Sequence, residues 1–414
     1  MLTPQTARDL RRANRASVLR ALYFDAPASR LQLSTRTGLS PATVGTVVNE
    51  FLDEGVVAST GQLDSDGGRP ATLLKVRDDR AHAIGVDVGE TGIRAELFDL
   101  GLRRLGAAQR PLPDVAPSPS EVVAAVAGVV EGLRAGLSGG GDLLGIGVGV
   151  PGIVDGEDET VVHAPGLHWD GVPLQAVLQA TLGAPVHVDN GAKTMGRAEA
   201  WFGAGRGVRD LVVALVGTGV GAAVVTNGVV YRGASSSAGE WGHTKIVLDG
   251  APCRCGSRGC LEAYLGASAV INRHRRLMDD SPADSSQEEA LQRLRRDAEA
   301  GEPAAVKALD ETATYLAAGI GSLANLLNPS TVVLGGFVGL SLGPLLLPLV
   351  REALPRYALL PAAQRLELVL SRFGPDAVAL GAATLPVERF LTSGGNIPRR
   401  GDASDLQVTF GPET

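Results

Sequence analysis

Early in the chain the apolar positions recur at helical spacing. Val18, Leu19 and Leu22 form a first stripe, Leu31 and Leu33 a shorter second one, and Gly38 marks a turn. Ser40-Pro41 then reads as an N-cap with proline at the first helical position. After it Val44, Val47, Val48, Phe51 and Leu52 recur at i, i+3, i+4, i+7 and i+8, which predicts a helix that buries one face and ends near Gly55. The opposite face carries Thr43, Gly45, Thr46 and Asn49, small and uncharged. Val56-Val57-Ala58 and Thr72-Leu73-Leu74-Lys75-Val76 read as two short strands around Gly67-Gly68-Arg69-Pro70. Two helices joined by a short turn, with a hairpin behind them, is the winged helix-turn-helix arrangement. It makes Ser40, Thr43, Thr46 and Asn49 candidate DNA contacts. Arg69, held extended by its proline neighbour, is a candidate for a narrow A·T-rich minor groove. A helical hairpin that meets only protein is the other reading of the same pattern.

From about residue 79 strands and glycine turns take over. Ala83-Ile84-Gly85-Val86-Asp87-Val88 runs into Gly89-Glu90-Thr91, and residues 93–98 return as a hairpin partner. Residues 211–216, Gly217-Thr218-Gly219-Val220-Gly221 and residues 222–225 repeat that plan about 130 residues later, which suggests a duplicated lobe. The uncharged run over residues 313–350 is interrupted by Pro329, Gly335-Gly336, Gly343-Pro344 and Pro348, so it predicts a buried helix, a strand and a second helix, with no membrane span. Residues 279–303 are charged and read as a surface helix. From Thr392 onward periodicity is lost.

Length and charge sharpen this division. A chain of 414 residues exceeds one ordinary core; the pattern divides it into a head over 1–78, a body over 79–392 and a mobile tail over 393–414. Fifty-four glycines with 4% aromatic residues suit many tight turns and close backbone approaches. Of the net charge of −7, residues 1–52 hold seven arginines against three acids, about +4, which leaves about −11 for the remainder. A basic head on an acidic body fits a nucleic-acid module joined to something else. The polar, arginine-rich start lacks the apolar core of a signal peptide, and thiols grouped for a metal argue for a reducing compartment; the expected location is the cytoplasm.

Every cysteine lies in one stretch. Gly239-Glu240-Trp241-Gly242-His243 is followed by Cys253-Arg254-Cys255-Gly256-Ser257-Arg258-Gly259-Cys260-Leu261-Glu262. His243, Cys253, Cys255 and Cys260 supply the four soft or borderline ligands that a structural Zn2+ prefers. Buried thiols, or a disulfide with one cysteine left over, are the alternatives. A metal fixing this backbone would also hold Glu240 and Glu262 where they could accept hydrogen bonds from vicinal hydroxyls.

The pattern Glu-x-Gly-His followed by Cys-x-Cys-Gly-x-x-Gly-Cys-x-Glu resembles the signature of the ROK family of bacterial repressors, open reading frames and sugar kinases. The resemblance extends over nearly the whole chain. It implies an α/β actin-like (ribonuclease H-like, duplicated-lobe) sugar kinase fold, with a winged helix-turn-helix in the repressor branch. It implies zinc on the histidine and cysteines, and a sugar bordered by Asn190, Glu240, His243 and Glu262 with Gly152 nearby. His243 is then a neutral imidazole with one nitrogen on the metal. The two glycine turns imply grips on ATP phosphates, with Gly335-Gly336 near the adenosine.

Two departures bear on catalysis. The family's kinases use an aspartate within an Asn-Asp pair as general base; matching Glu199 and Trp201-Phe202-Gly203 puts Asn190 on the asparagine and Gly191 on that aspartate. Asp189 could substitute only through a bulge, since neighbouring side chains on an extended segment point to opposite sides. Glu90 also stands where the kinases usually have glycine, a carboxylate opposed to phosphate. The expected protein is therefore a catalytically inert sugar-responsive regulator, most simply a repressor, acting as a dimer or tetramer on a palindromic, A·T-rich operator. An ATP-dependent sugar kinase that also binds DNA is the enzyme alternative, and a regulator that senses a partner protein is a third.

Overall fold

The first apolar stripe becomes helix α1 (Ala7–Asp25), which buries Val18, Leu19 and Leu22 against α2 (Arg30–Thr37) and α3 (Pro41–Asp53). These are features of a computed structural model that describes residues 6–63, 70–112, 117–137, 141–156, 160–278 and 286–397. Ser40 caps α3, its Oγ accepting from the Thr43 N–H at 3.1 Å, and Val44, Val47, Val48 and Phe51 are buried as the periodicity requires. Behind the helices β1 (Val57–Leu63) pairs antiparallel with β2 (Ala71–Val76), and Ala28 adds a bridge to Leu74. The first strand therefore continues well past the expected Val56-Val57-Ala58. Arg69 and the rest of the hairpin tip, 64–69, lie outside the described residues.

The first lobe holds β3 (Ala81–Val88), β4 (Gly92–Asp99), β5 (Arg104–Pro111), α4 (Pro119–Ala135) and β6 (Asp142–Val150). It continues through a small sheet of β7 (Ile153–Asp155), β8 (Val161–Ala164) and β9 (Trp169–Val172), then α5 (Leu174–Leu182), β10 (Val186–Asn190) and α6 (Gly191–Phe202). Its main sheet runs β5-β4-β3-β6-β10, antiparallel through β3 and parallel beyond it. The second lobe holds β11 (Asp210–Val216), β12 (Val220–Thr226), β13 (Val229–Tyr231), β14 (Thr331–Gly335) and β15 (Glu367–Leu370), ordered β13-β12-β11-β14-β15 with the same change of sense. The duplication read from the two glycine turns is thus a duplicated sheet. The uncharged run becomes the helix Pro303–Leu327, β14 and the helix Gly336–Ala353. Among the described residues only the segment Gly336–Arg356 is long and apolar enough to cross a membrane, and its Leu342, Leu346, Leu347 and Val350 are buried in the second lobe's core.

The last helix, Ala377–Thr392, leaves the second lobe and lies across β3 and β6 of the first. Glycine is required beneath it: a Cβ at Gly85 would sit 1.8 Å from the Ala379 carbonyl oxygen, and one at Gly147 1.8 Å from that of Ala382.

The head is packed onto the first lobe. Tyr23 and Phe24 of α1 meet Trp201 and Phe202 at the end of α6, with Phe24 edge-on to Trp201 at 4.9 Å. In a chain with 4% aromatic residues, four converge on this junction. The Tyr23 hydroxyl donates to the Leu100 carbonyl at 3.0 Å, and Arg197 and Arg20 both reach Glu388 of the last helix. This packing shows where part of the head's positive charge is placed. Arg11 and Arg15 are spent on Glu50 and Glu54 at the end of α3, and Arg20 faces the lobe, so α1 does not present a free basic stripe. The segment from residue 393, expected to be loose, starts with a packed turn: Arg15 Nε donates to the Gly394 carbonyl at 2.9 Å and Ile397 lies on the head's core. Residues 398–414 are outside the described part of the chain.

Candidate functional site

The loop after β13 brings four donor atoms together. The imidazole of His243 and the sulfurs of Cys253, Cys255 and Cys260 all lie within 4.8 Å of one another. Cys253 Sγ is 3.8 Å from His243 Nδ1, and the sulfurs of Cys255 and Cys260 are 3.7 Å apart. A tetrahedral ion with metal–sulfur distances of about 2.3 Å and metal–nitrogen of about 2.1 Å has ligand–ligand edges of about 3.6–3.8 Å, so the donor set fits. The cysteines are free thiols, as a metal site requires and the disulfide reading does not. Gly259 has φ of 72°, and a Cβ there would meet the Val247 carbonyl oxygen at 1.7 Å, which accounts for one of the glycines between the thiols. Lys245 Nζ lies 3.0 Å from Cys260 Sγ, a cation against a set of up to three thiolates. Burial pushes the Cys253 thiol above its ordinary value.

This loop forms one wall of a cleft of about 1330 Å³ between the lobes. The opposite wall is built by the ends of parallel strands: β6 delivers Pro151-Gly152, and Asn190, paired in register with Val150, ends β10. Asn190 is the N-cap of α6. Its Oδ1 accepts from the Ala192 and Lys193 N–H groups, and its Nδ2 donates to the Gly152 carbonyl at 2.6 Å. Both acceptor positions are thereby used, leaving one N–H for a ligand.

The carboxylates differ in state. Glu262 Oε2 accepts from the Val220 N–H at 2.9 Å. The Glu240 carboxylate accepts no hydrogen bond among the described residues and faces the cleft; desolvation raises its pKa, opposed by Lys193 and His243 nearby. Asp189 is 1% exposed and gripped by Arg232 at 3.1 and 2.5 Å. It also accepts from the Asn190 N–H, and β10 pairs with β6 through residue 190 without a bulge. Asp189 therefore does not reach the cleft that Gly191 lines. Asp87, at the end of β3, is pushed up to about 7 by burial, with Arg94 acting against that.

Three cations escaped the sequence reading. Lys193 is buried, and its Nζ donates to the Ser236 carbonyl. Arg232 neutralises Asp189. Arg254, between two of the thiols, reaches across the cleft so that its Nη1 lies 2.6 Å from Glu90 Oε2. Glu90 is thus no bare carboxylate opposing an anion, as the substitution for glycine suggested; it is one half of an ion pair. The available signal was a charge reversal in two places, an acid in a glycine turn and an arginine in a metal loop, which no local periodicity links. On the head, Ser40, Thr46 and Asn49 are exposed and Thr43 half-buried on one side of α3, and Arg30 of α2 holds Asn49 Oδ1 at 2.9 Å.

Comparison with known proteins adds the following. The ROK family model matches residues 83–389. The chain is 29% identical over 390 residues to a xylose repressor of Caldicellulosiruptor bescii, covering 92% of this chain and 97% of that protein. Among solved structures it resembles a ROK family transcriptional regulator described as a homolog of the E. coli MLC protein, with a TM-score of 0.78 and 25% identity over 93% of this chain and 98% of the other. It also resembles a ROK family glucokinase from Streptomyces griseus in complex with glucose and AMPPNP, with a TM-score of 0.65 and 31% identity over 74% of this chain and 99% of the kinase.

Proposed function

The chain belongs to the ROK family, and from that premise we propose that it is a sugar-responsive transcriptional repressor whose kinase-like cleft binds a monosaccharide without phosphorylating it. The state of the carboxylates around the cleft carries this reading. Glu240 is open to accept hydroxyl hydrogen bonds, whereas position 191 is glycine and Asp189 is locked on Arg232. Such a cleft can hold a hydroxylated ring and cannot take a proton from it at the family's usual place.

In this reading His243, Cys253, Cys255 and Cys260 hold a structural Zn2+, whose chemistry is to fix the loop. With Nδ1 turned to the thiols, His243 keeps Nε2 for a sugar hydroxyl. Asn190, Glu240, Glu262 and Gly152 complete the sugar wall. The head is a winged helix-turn-helix that sets α3 in the major groove through Ser40, Thr43, Thr46 and Asn49, with Arg69 on the wing. A two-fold operator matches a homodimer or a dimer of dimers, in the cytoplasm.

Helix α6 connects the two functions. Its N-cap, Asn190, is in the cleft, and its last residues, Trp201 and Phe202, hold Tyr23 and Phe24 of the head, about 18 Å away at 1.5 Å per residue. Glu199 also ties it to the second lobe's return strand by accepting from Ser371 Oγ and the Arg372 N–H. A sugar that draws the lobes together displaces α6 and with it the head. Its effect on the operator equals its differential affinity for the two states.

The test is fluorescence anisotropy on DNA from upstream of the protein's own gene, at fixed salt, with and without D-xylose and D-glucose. Specific binding weakened by one sugar is the expected result. Glu240→Gln leaves DNA affinity unchanged and weakens the sugar effect by about tenfold or more, the loss that follows removal of a charged hydrogen-bond acceptor. A sugar response that survives this substitution would place the effector elsewhere.

The missing base has its own test. A Cβ at residue 191 would lie 3.7 Å from the Val150 carbonyl oxygen and 3.8 Å from Val378 Cγ1, so Gly191→Asp fits without strain. Combined with Glu90→Gly, it raises ATP-dependent phosphorylation of these sugars about 100-fold over the wild-type background, as a positioned general base does. A wild type that already phosphorylates them at a rate this change does not alter would show that the base is another residue.

A further inference from the structure

Two glycine-threonine turns face each other across the cleft. One follows β3 and is closed by the Gly89 N–H donating to the Gly92 carbonyl at 2.9 Å; the other follows β11 and is closed by Gly217 donating to the Gly219 carbonyl at 2.9 Å. Turns of this type expose backbone N–H groups that cradle phosphate oxygens. An ion pair already spans the space between them. The Arg254 guanidinium lies 2.6 Å from Glu90 in the first turn, 3.5 Å from the Thr218 carbonyl in the second and 3.6 Å from Glu262 Oε1. It is packed so closely that a Cβ at Gly219 would sit 3.5 Å from Nη2, and one at Gly166 3.4 Å from Nη1. Arg254 springs from the backbone between Cys253 and Cys255, on the second lobe, and Glu90 belongs to the first. The pair thus spans the interlobe gap at the position where an anion bridging both turns would lie.

We propose that Arg254 and Glu90 form a built-in clasp that stands in for the phosphates of a nucleotide, so that the cleft closes on an unphosphorylated monosaccharide alone. This rests on the sugar-sensor reading for its ligand but not for its geometry. By holding Arg254 in the ion pair, Glu90 withholds that cation from an incoming triphosphate. The clasp also draws the lobes together without a diffusible bridging ligand, which preorganises the sugar wall.

Isothermal titration of the full-length protein with magnesium AMPPNP, D-xylose and D-glucose tests this, with bound metal measured in every variant to confirm an intact loop. The wild type gives no AMPPNP binding at millimolar concentration. Glu90→Gly frees Arg254 for phosphate, and AMPPNP affinity rises about tenfold or more. Arg254→Ala leaves Glu90 alone; AMPPNP still does not bind, the sugar binds about tenfold more weakly, and small-angle scattering shows a more open particle. Exchanging the charges, Glu90→Arg with Arg254→Glu, recovers the sugar affinity, which a purely local role for either residue would not allow. Tight AMPPNP binding by the wild type overturns the proposal, as does an Arg254→Ala protein with wild-type sugar affinity and dimensions. If neither sugar binds any of the proteins, the sensor reading fails, while AMPPNP binding to wild type and Glu90→Gly still decides the clasp.

Discussion

Cys260→Ser, or removal of the metal with a strong chelator, lowers stability by more than about 4 kcal/mol and abolishes the sugar response. Residues 244–261 contain no helix or extended strand; their backbone is held by turn hydrogen bonds, by isolated bridges between Lys245 and Cys260 and between Pro252 and Arg258, and by the four converging donors. Sulfurs 3.7 Å apart repel when ionised and cannot all be neutralised by Lys245. Without a central cation the thiols take up protons, as the raised pKa of Cys253 favours, and nothing then links the four donors across the loop, which is free to open. Opening it releases His243 and Arg254 directly and loosens Glu240 and Glu262 at its two ends, so these cleft-lining side chains of the second lobe move at once. Elemental analysis of the purified protein finds one zinc per chain, and thermal unfolding falls by roughly 8–16 °C when it is lost. The same transition temperature and an unchanged sugar effect after complete removal of metal would show that the thiols are only buried core.

Trp201→Ala has the next largest effect, and of a different kind. Trp201 is 7% exposed and packed edge-on against Phe24 and Tyr23. Its truncation leaves a cavity at the junction and costs about 3–5 kcal/mol. The informative consequence is functional. Within the core that the head shares with the first lobe, Leu19, Leu22, Leu33, Val48 and Phe51 still pack on one another, so operator affinity without sugar changes by no more than about threefold. The ratio of affinities with and without sugar falls toward one, because α6 loses its largest aromatic contact with the head. Trp201→Phe, which retains an aromatic contact, recovers part of the ratio. A sugar ratio that stays at its wild-type value in the destabilised alanine variant would exclude α6 as the link.

Much of this architecture is local and was therefore readable along the chain. The stripe of Val44, Val47, Val48 and Phe51 and the Ser40 cap gave α3 its face and start, because both depend on residues within four positions of one another. Residues 83–98 and 211–225 announced hairpins by alternation around glycine turns, and both became paired strands. Pro329 and Gly335-Gly336 divided the uncharged run where the strand β14 begins and ends. The candidate metal ligands were legible for the same reason, three of the four lying within eight residues.

What failed to show in the sequence involves charges that meet across the fold. The charge count of the head did not say which arginines are paired: Arg15 is neutralised by glutamates 35 and 39 residues away and donates to a carbonyl 379 residues away. Glu90 was read as an isolated departure, yet its partner lies 164 residues on. Formal charge counts have no knowledge of pairing, and pairing is set by topology.

The sequence by itself determined the kinds of element, the repeated glycine turns, the grouping of His243 with the three cysteines and the glycine at residue 191, since each is a matter of residue type at short range. Only the tertiary structure decided that Asp189 is sealed by Arg232, that Glu240 is the open acceptor, that the turns are bridged by Arg254 and Glu90, and that one helix runs from the cleft to the head. Those depend on which strand ends and loops the two sheets bring face to face, and hydrophobic periodicity specifies the inside of each element without specifying its neighbour.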